Sequence, residues 1–203
     1  MRKKLSFTSI LFNPFEYLNS KQTLYLGLVA VLLASAFGAL NNGHFDGVLD
    51  FHFGKPAPFW YYIYESIVNL LSITLFLLIG NYVLKGKLDT INTLGTQALA
   101  RFPTIFISLV PFSPQFKTIS TKIAAYPRNI NEIVSADTSE FVIFTIFAIF
   151  MIMMSIWMVY LMYVGFSKHL ESTKPKKIFV FIISLILAEI LSKIILIASF
   201  AKL

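Results

Sequence analysis

Four residues of a short polar stretch are of types that could bind a metal ion: His44, Asp46, Asp50 and His52. Imidazole and carboxylate groups are acceptable ligands for zinc and other divalent ions. Their spacing matches no standard motif, and Asp46-Gly47 is a turn signal. Four apolar residues could instead fold the stretch back over the end of a helical bundle: Val48, Leu49, Phe51 and Phe53. We predict no metal here and keep metal binding by the four polar residues as the alternative.

A second group of ionisable residues lies inside long apolar segments: Glu65, Arg101, Glu189 and Lys193. An isolated cation at bilayer depth costs at least about 2.5 to 3.5 kcal/mol, so Arg101 should face protein or water. At a rise of about 1.5 Å per residue, Arg101 and Glu189 both lie roughly 16 Å from one membrane surface. Glu65 and Lys193 lie about 10 Å and about 8 Å from the other surface. We predict that Arg101 is near Glu189 and that Glu65 is near Lys193.

The polar residues of these segments predict one intramembrane polar centre, composed of Glu65, Asn69, Gln97, Arg101, Glu189 and Lys193. Two interpretations compete. The charges could neutralise each other and fix which helices pack together. Alternatively, they could line a water-filled cleft for a proton, an ion or an anionic headgroup. We favour structural pairing.

No catalytic pattern accompanies these residues. GxSxG, HExxH, P-loop and paired-aspartate motifs do not occur in the sequence. The chain has no cysteine, which excludes disulfides, thiolate metal sites and a cysteine nucleophile. We predict that the protein is not an enzyme and uses no cofactor.

The composition is that of a membrane protein. Hydrophobic residues make up 57% of the chain and charged residues 13%, and the mean hydropathy is +0.74. Ordinary soluble domains have roughly 45 to 50% apolar and about 25% charged residues. The formal charge of +7 comes from basic residues beside apolar segments, which is typical of a topology signal. We therefore expect no nucleic-acid partner.

The apolar segments predict an all-α integral membrane bundle of five transmembrane helices with a short interfacial N-terminal helix. Residues 1–21 are the cytoplasmic interfacial segment, and 22–203 form the membrane domain. The predicted spans are about 22–40, 58–84, 91–112, 140–166 and 178–200. In the first span, Ala30, Ala34 and Gly38 recur every four residues and should let a neighbouring helix approach closely. The polar stretch after the third span predicts a short amphipathic helix before Pro127.

The third span is the least lipid-like of the five. Pro103 lacks a backbone N–H and crowds the carbonyl of Leu99, so a kink is expected beside Arg101. The alternative is a broken or re-entrant helix, which is tolerated where it is buried in protein or faces water.

The basic residues predict the orientation. Ten flank the membrane on the side of the N-terminus: Arg2, Lys3, Lys4, Lys21, Lys85, Lys87, Lys168, Lys174, Lys176 and Lys177. Five flank it on the other side: Lys55, Lys117, Lys122, Arg128 and Lys202. The positive-inside rule places the N-terminus in the cytoplasm and the C-terminus outside a cell membrane.

Several short sequence features accompany this five-span pattern: a basic N-terminal segment, Asn13-Pro14-Phe15, Gly86-Lys87 and Ala100-Arg101-Phe102-Pro103. Together they resemble the Yip domain family, membrane proteins named for interaction with Ypt and Rab GTPases, in a form like its bacterial members. The resemblance implies five membrane helices and a cytoplasmic N-terminus. Eukaryotic members use a long N-terminal region in trafficking interactions. Here about 20 residues precede the first span, so binding of a Rab-type GTPase is not expected.

We predict from these features a non-enzymatic integral membrane protein of Yip-domain type that organises membrane partners or lipids. Its expected partners are the lipid bilayer and a second copy of the chain or another membrane protein. The alternative is a small permease or channel that uses Glu65, Arg101, Glu189 and Lys193. Five spans cannot divide into two equal inverted halves, and we find no internal repeat, which counts against the alternative.

Overall fold

The computed structural model describes residues 7–125, 138–168 and 170–200, and these form a helical bundle. The helices are α1 Phe7–Phe12, α2 Ser20–Asn41, α3 Phe59–Val83, α4 Thr90–Ala100, α5 Thr104–Leu109, α6 Pro114–Ala125, α7 Thr138–Ser167 and α8 Lys174–Phe200. Short 3-10 turns follow α1 at Pro14–Glu16 and α5 at Val110–Phe112. Two two-residue strands, β1 Gly43–His44 and β2 His52–Phe53, pair antiparallel between α2 and α3.

Four helices are long and apolar enough to cross a membrane: α2, α3, α7 and α8. They coincide with the predicted spans 22–40, 58–84, 140–166 and 178–200. Local signals explain two of the helix starts. Asn19 and Gln22 form a reciprocal capping box at α2, and Asp89 accepts from the backbone N–H of Asn92 at α4. These four helices identify a membrane-embedded protein.

The remaining predicted span, 91–112, is not one continuous helix. The chain forms α4, turns at 101–103, and resumes as α5 and the second 3-10 turn. At the turn, the N–H groups of Arg101 and Phe102 reach back three residues to Ala98 and Leu99. Because Pro103 has no N–H to donate to Leu99, the helical ladder fails at this point. Five continuous spans are therefore not observed, and the broken-helix alternative describes this segment.

The broken segment lies beside α2 and runs in the same direction. Ser20 Oγ donates to Asn92 Oδ1 over 3.2 Å near the start of both segments, and the rings of Phe37 and Phe112 meet near their ends. Between these points Gly27 faces α4 so closely that an added Cβ would lie 2.7 Å from Ala98 Cβ. The predicted small-residue face of α2 is buried, and it extends to Gly27.

The other helices complete the bundle around this pair. α3 packs along α8 and also contacts α2 and α4, while α7 packs against α4, α5 and α6. The predicted amphipathic helix before Pro127 is confirmed as α6. Residues 1–6 and 126–137 lie outside the described residues. The short N-terminal helix is observed as α1, which lies against α7: Trp157 Nε1 donates to the carbonyl of Leu11 over 3.2 Å.

Connections gather at two opposite ends of the bundle. One end holds the N-terminal segment, the α3–α4 connection and the α7–α8 connection, since Lys168 donates to the carbonyl of Phe15 and lies beside Lys87 and Asp89. The other end holds residues 42–58 and the last turns of α8, where Tyr61 donates to the carbonyl of Leu196 over 3.3 Å. We call residues 42–58 the covering loop, because Phe45 and Val48 are buried against the helices.

Candidate functional site

Four of the six residues of the predicted polar centre are deeply buried. Glu65, Asn69, Gln97 and Arg101 are each at most 3% exposed. Glu189 and Lys193, on α8, are partly exposed. The helices thus turn the polar faces of α3 and α4 inward, as their position in a membrane requires.

Glu65 pairs with the covering loop and not with Lys193. Its Oε1 lies 2.7 Å from Nδ1 of His44, and its Oε2 accepts the backbone N–H of Phe45 at 3.2 Å. Nε2 of His44 is 2.9 Å from the carbonyl of Lys55. The carbonyl accepts from Nε2, and when Glu65 is ionised its carboxylate accepts from Nδ1, so both ring nitrogens then donate and the ring is an imidazolium. The buried pair is therefore an ion pair between a loop and a helix.

The electrostatics of His44 agree with this geometry. Burial lowers the pKa of His44, but the hydrogen bond and the negative charge of Glu65 together outweigh burial and raise the pKa above its ordinary value of 6.5. The ring also stacks on Tyr62, with ring centres 4.7 Å apart. These surroundings favour the charged form of His44.

A second group of contacts joins the covering loop to α8. Glu189 Oε2 accepts the backbone N–H of Leu49 at 2.8 Å, and its Oε1 lies 3.4 Å from Lys193 Nζ. Lys193 Nζ lies 2.7 Å from Asp50 Oδ2. The loop passes so close at Gly47 that an added Cβ would lie 2.8 Å from the Glu189 carboxyl carbon. Both acids of the centre thus take partners from the loop.

Arg101 forms neither the predicted pair with Glu189 nor any other ion pair within 7–125, 138–168 and 170–200. Its Nε and Nη2 are buried without a hydrogen-bond partner among those residues. Two buried acceptors of the same polar centre are in the same situation among those residues, Asn69 Oδ1 and Gln97 Oε1, although the amide nitrogens of both bond to backbone carbonyls. The interior therefore contains donors and acceptors that internal water or a ligand would satisfy.

The predicted pairings differ from the observed ones because they were derived from depth along the spans alone, which leaves out partners from the polar stretch between the first two spans. The loop instead descends to the depth of Asn69, whose Nδ2 donates to the carbonyl of Phe45 at 2.5 Å. It thereby brings His44, Asp50 and the Leu49 N–H to the two acids. The apolar neighbours of His44 were the available signal, since they indicated a loop that folds back over the bundle.

The alternative metal site in the covering loop receives no support. Its four candidates are divided among other partners: His44 binds Glu65, Asp50 binds Lys193, and His52 Nδ1 lies 3.2 Å from Asp46 Oδ1. No group of three or more His, Asp or Glu residues able to hold a metal ion occurs in the described ranges.

The hydrogen bond to Asp46 raises the pKa of His52 despite burial. Burial raises the pKa of Asp46, but the hydrogen bond to His52 and the positive charges of His52 and Lys193 together outweigh burial, so the pKa of Asp46 is lowered.

A cavity of about 310 Å³ opens between the covering loop, α3 and α8. His44, Asp46, His52, Tyr61, Glu65 and Leu196 are among its lining residues. A larger polar cavity of about 420 Å³ lies at the opposite end of the bundle.

No family model, curated protein or solved structure matches the chain.

Proposed function

We propose that this chain is a five-span, non-enzymatic membrane protein of Yip-domain type that organises lipids or other membrane proteins. The observation that carries the proposal is that most charged side chains of the polar centre bond to the covering loop. Glu65, Glu189 and Lys193 are all bonded to the covering loop, so three of the four predicted membrane charges hold the protein together. Both acids of the polar centre, Glu65 and Glu189, are thereby bonded to the loop and are not left free for transport.

The broken segment supports a fifth crossing. α4, α5 and the following 3-10 turn accompany α2 from Asn92 to Phe112 in parallel, so both cover a similar depth. A discontinuous helix is tolerated at membrane depth when protein surrounds it, and α2, α3 and α7 surround α4. The proposed orientation puts the N-terminus in the cytoplasm and the C-terminus outside.

Single-cysteine labelling tests the crossing and the orientation, because the chain contains no native cysteine. Three exposed positions are suitable: Lys55, Gln115 and Lys176. In intact cells, a membrane-impermeant maleimide should label Lys55→Cys and Gln115→Cys and should label Lys176→Cys after lysis. If the broken segment does not cross, Gln115→Cys is protected and Lys176→Cys is labelled from outside. That pattern would refute five spans.

The lipid or protein partner is tested on purified protein. Native mass spectrometry in mild detergent should find specifically retained lipid, a second copy of the chain or both. A monomer that retains no lipid after mild solubilisation would contradict the organising function.

A small permease or channel is the second candidate, and Arg101 is the observation that favours it. The Arg101 guanidinium is buried beside a helix break, and two of its nitrogens have no partner among the residues that the structure describes. Such a group is typical of an ion or proton path. Ion and proton flux into proteoliposomes decides between the candidates. The organising function predicts flux equal to protein-free liposomes. A permease predicts flux above that of protein-free liposomes. Arg101→Gln should abolish this excess flux, whereas Lys193→Gln should retain part of it.

A further inference from the structure

The polar cavity at the end opposite the covering loop is lined by two connections of the chain and by the helix ends beside them. It lies between the end of α3, the start of α4 and the α7–α8 connection, and its volume is about 420 Å³. In the proposed orientation this end meets the cytoplasmic headgroups. The cavity is therefore at a depth where a lipid headgroup, and not an acyl chain, would enter it.

The inner part of the cavity offers hydrogen-bond acceptors. Asn81 is 8% exposed, and its Oδ1 is buried without a partner in the described part of the chain. Thr93 and Thr96 are also buried, and their hydroxyls donate to the carbonyls of Asp89 and Thr93. Because each hydroxyl proton is already used, both oxygens can still accept. A ligand that forms hydrogen bonds with these three oxygens must therefore carry hydrogen-bond donors.

The rim of the cavity carries both signs of charge. Lys87 and Lys168 provide ammonium groups, and Asp89 and Glu171 provide carboxylates. All four are exposed, so water screens them, and a ligand with one charge would meet attraction and repulsion together. A ligand that carries a cation and an anion close together would meet a partner for each.

We propose that this cavity binds a primary ammonium linked to a phosphate, the headgroup of an ethanolamine phospholipid in the cytoplasmic leaflet. The ammonium would donate to Asn81 Oδ1 near Asp89, and the phosphate would lie at Lys87 and Lys168. A choline headgroup has the same net charge but no N–H, so it leaves Asn81 unsatisfied. The inference deepens the proposed organising function by naming the lipid.

Lipid titration of the purified full chain tests the site by native mass spectrometry. Lipids with identical acyl chains and ethanolamine, choline or glycerol headgroups are compared. Satisfying one buried acceptor should favour ethanolamine over choline by about tenfold. Asn81→Ala should reduce the preference to about twofold or less. Asn41→Ala, a matched change at the end of α2 and at the opposite end of the bundle, should keep it.

The wild-type comparison requires no variant and can overturn the inference alone. Equal binding of ethanolamine and choline lipids, or stronger binding of the glycerol lipid, refutes it. Retention of lipid without headgroup preference refutes this inference and leaves the organising function standing. Soluble phosphoethanolamine separates the two sources of the headgroup: weaker binding than the lipid supports the membrane source, and tighter binding refutes it.

Discussion

Nδ1 of His44 lies 2.7 Å from Oε1 of Glu65, and both residues are buried where the covering loop meets α3. The charge of one residue depends on the other. A buried carboxylate without a cation and a buried imidazolium without an anion are each costly, whereas the bonded pair is tolerated. The loop is thus part of the bundle.

The pair predicts that stability decreases as pH rises. The pKa of His44 is raised in the folded protein, so its contribution is complete below the ordinary pKa of 6.5 and is lost as pH rises through the raised value. His52, whose pKa is also raised, contributes in the same direction. The thermal unfolding temperature should fall between pH 6 and pH 9. The pKa of Asp46 is lowered, so its contribution to stability is lost only as pH falls below the ordinary value of 3.8, which is outside this window.

His44→Gln should remove most of this pH dependence, and His52→Gln should remove a smaller part, because His52 is exposed. Unfolding temperatures of the three proteins over the same pH series make the comparison. An unchanged pH profile in His44→Gln would contradict the assignment.

Removing Glu65 should cost far more than removing Asp50. Glu65→Ala leaves His44 and the Phe45 N–H buried without their acceptor, which should cost about 3 to 5 kcal/mol. Asp50→Ala breaks a partly exposed pair with Lys193, which should cost about 0 to 1 kcal/mol. Equilibrium unfolding by SDS in mixed micelles measures both. Equal losses would indicate that the covering loop does not bury Glu65.

Replacing Arg101 by methionine should leave the folding free energy unchanged or improve it. The substitution removes a buried cation that has no ion-pair partner in 7–125, 138–168 and 170–200, and so removes a desolvation cost. Arg101→Lys keeps the charge and should bring no such gain. The same SDS unfolding applies. A loss of several kcal/mol in Arg101→Met would show that the guanidinium has a structural partner.

Bulk at Gly27 should separate α2 from α4. A side chain there overlaps Ala98, so Gly27→Leu should destabilise the protein by about 1 to 3 kcal/mol or more. Val29→Leu adds a methylene on an exposed face of the same helix and is the control. Unfolding temperature in detergent measures both. Equal temperatures would contradict close packing of the two segments.

Much of this architecture could be predicted from the sequence, because apolar length and inward polar faces are local patterns. Four spans, the α6 helix and the burial of Glu65, Asn69, Gln97 and Arg101 follow from such patterns. Pro103 indicated a disturbance, but whether a helix kinks or breaks depends on the surrounding helices. The partner of Glu65 could not be derived from depth along a helix, since His44 reaches it from a loop.

The covering loop has a mechanical consequence. The chain leaves α2, fastens to α3 through His44 and Phe45, crosses to α8 through Leu49 and Asp50, and then enters α3 itself. A sideways shift of one of these helices at this end of the bundle would therefore strain the bonds to the other two. An antibody fragment that bound the loop tightly would therefore restrict the motion of α2, α3 and α8 together.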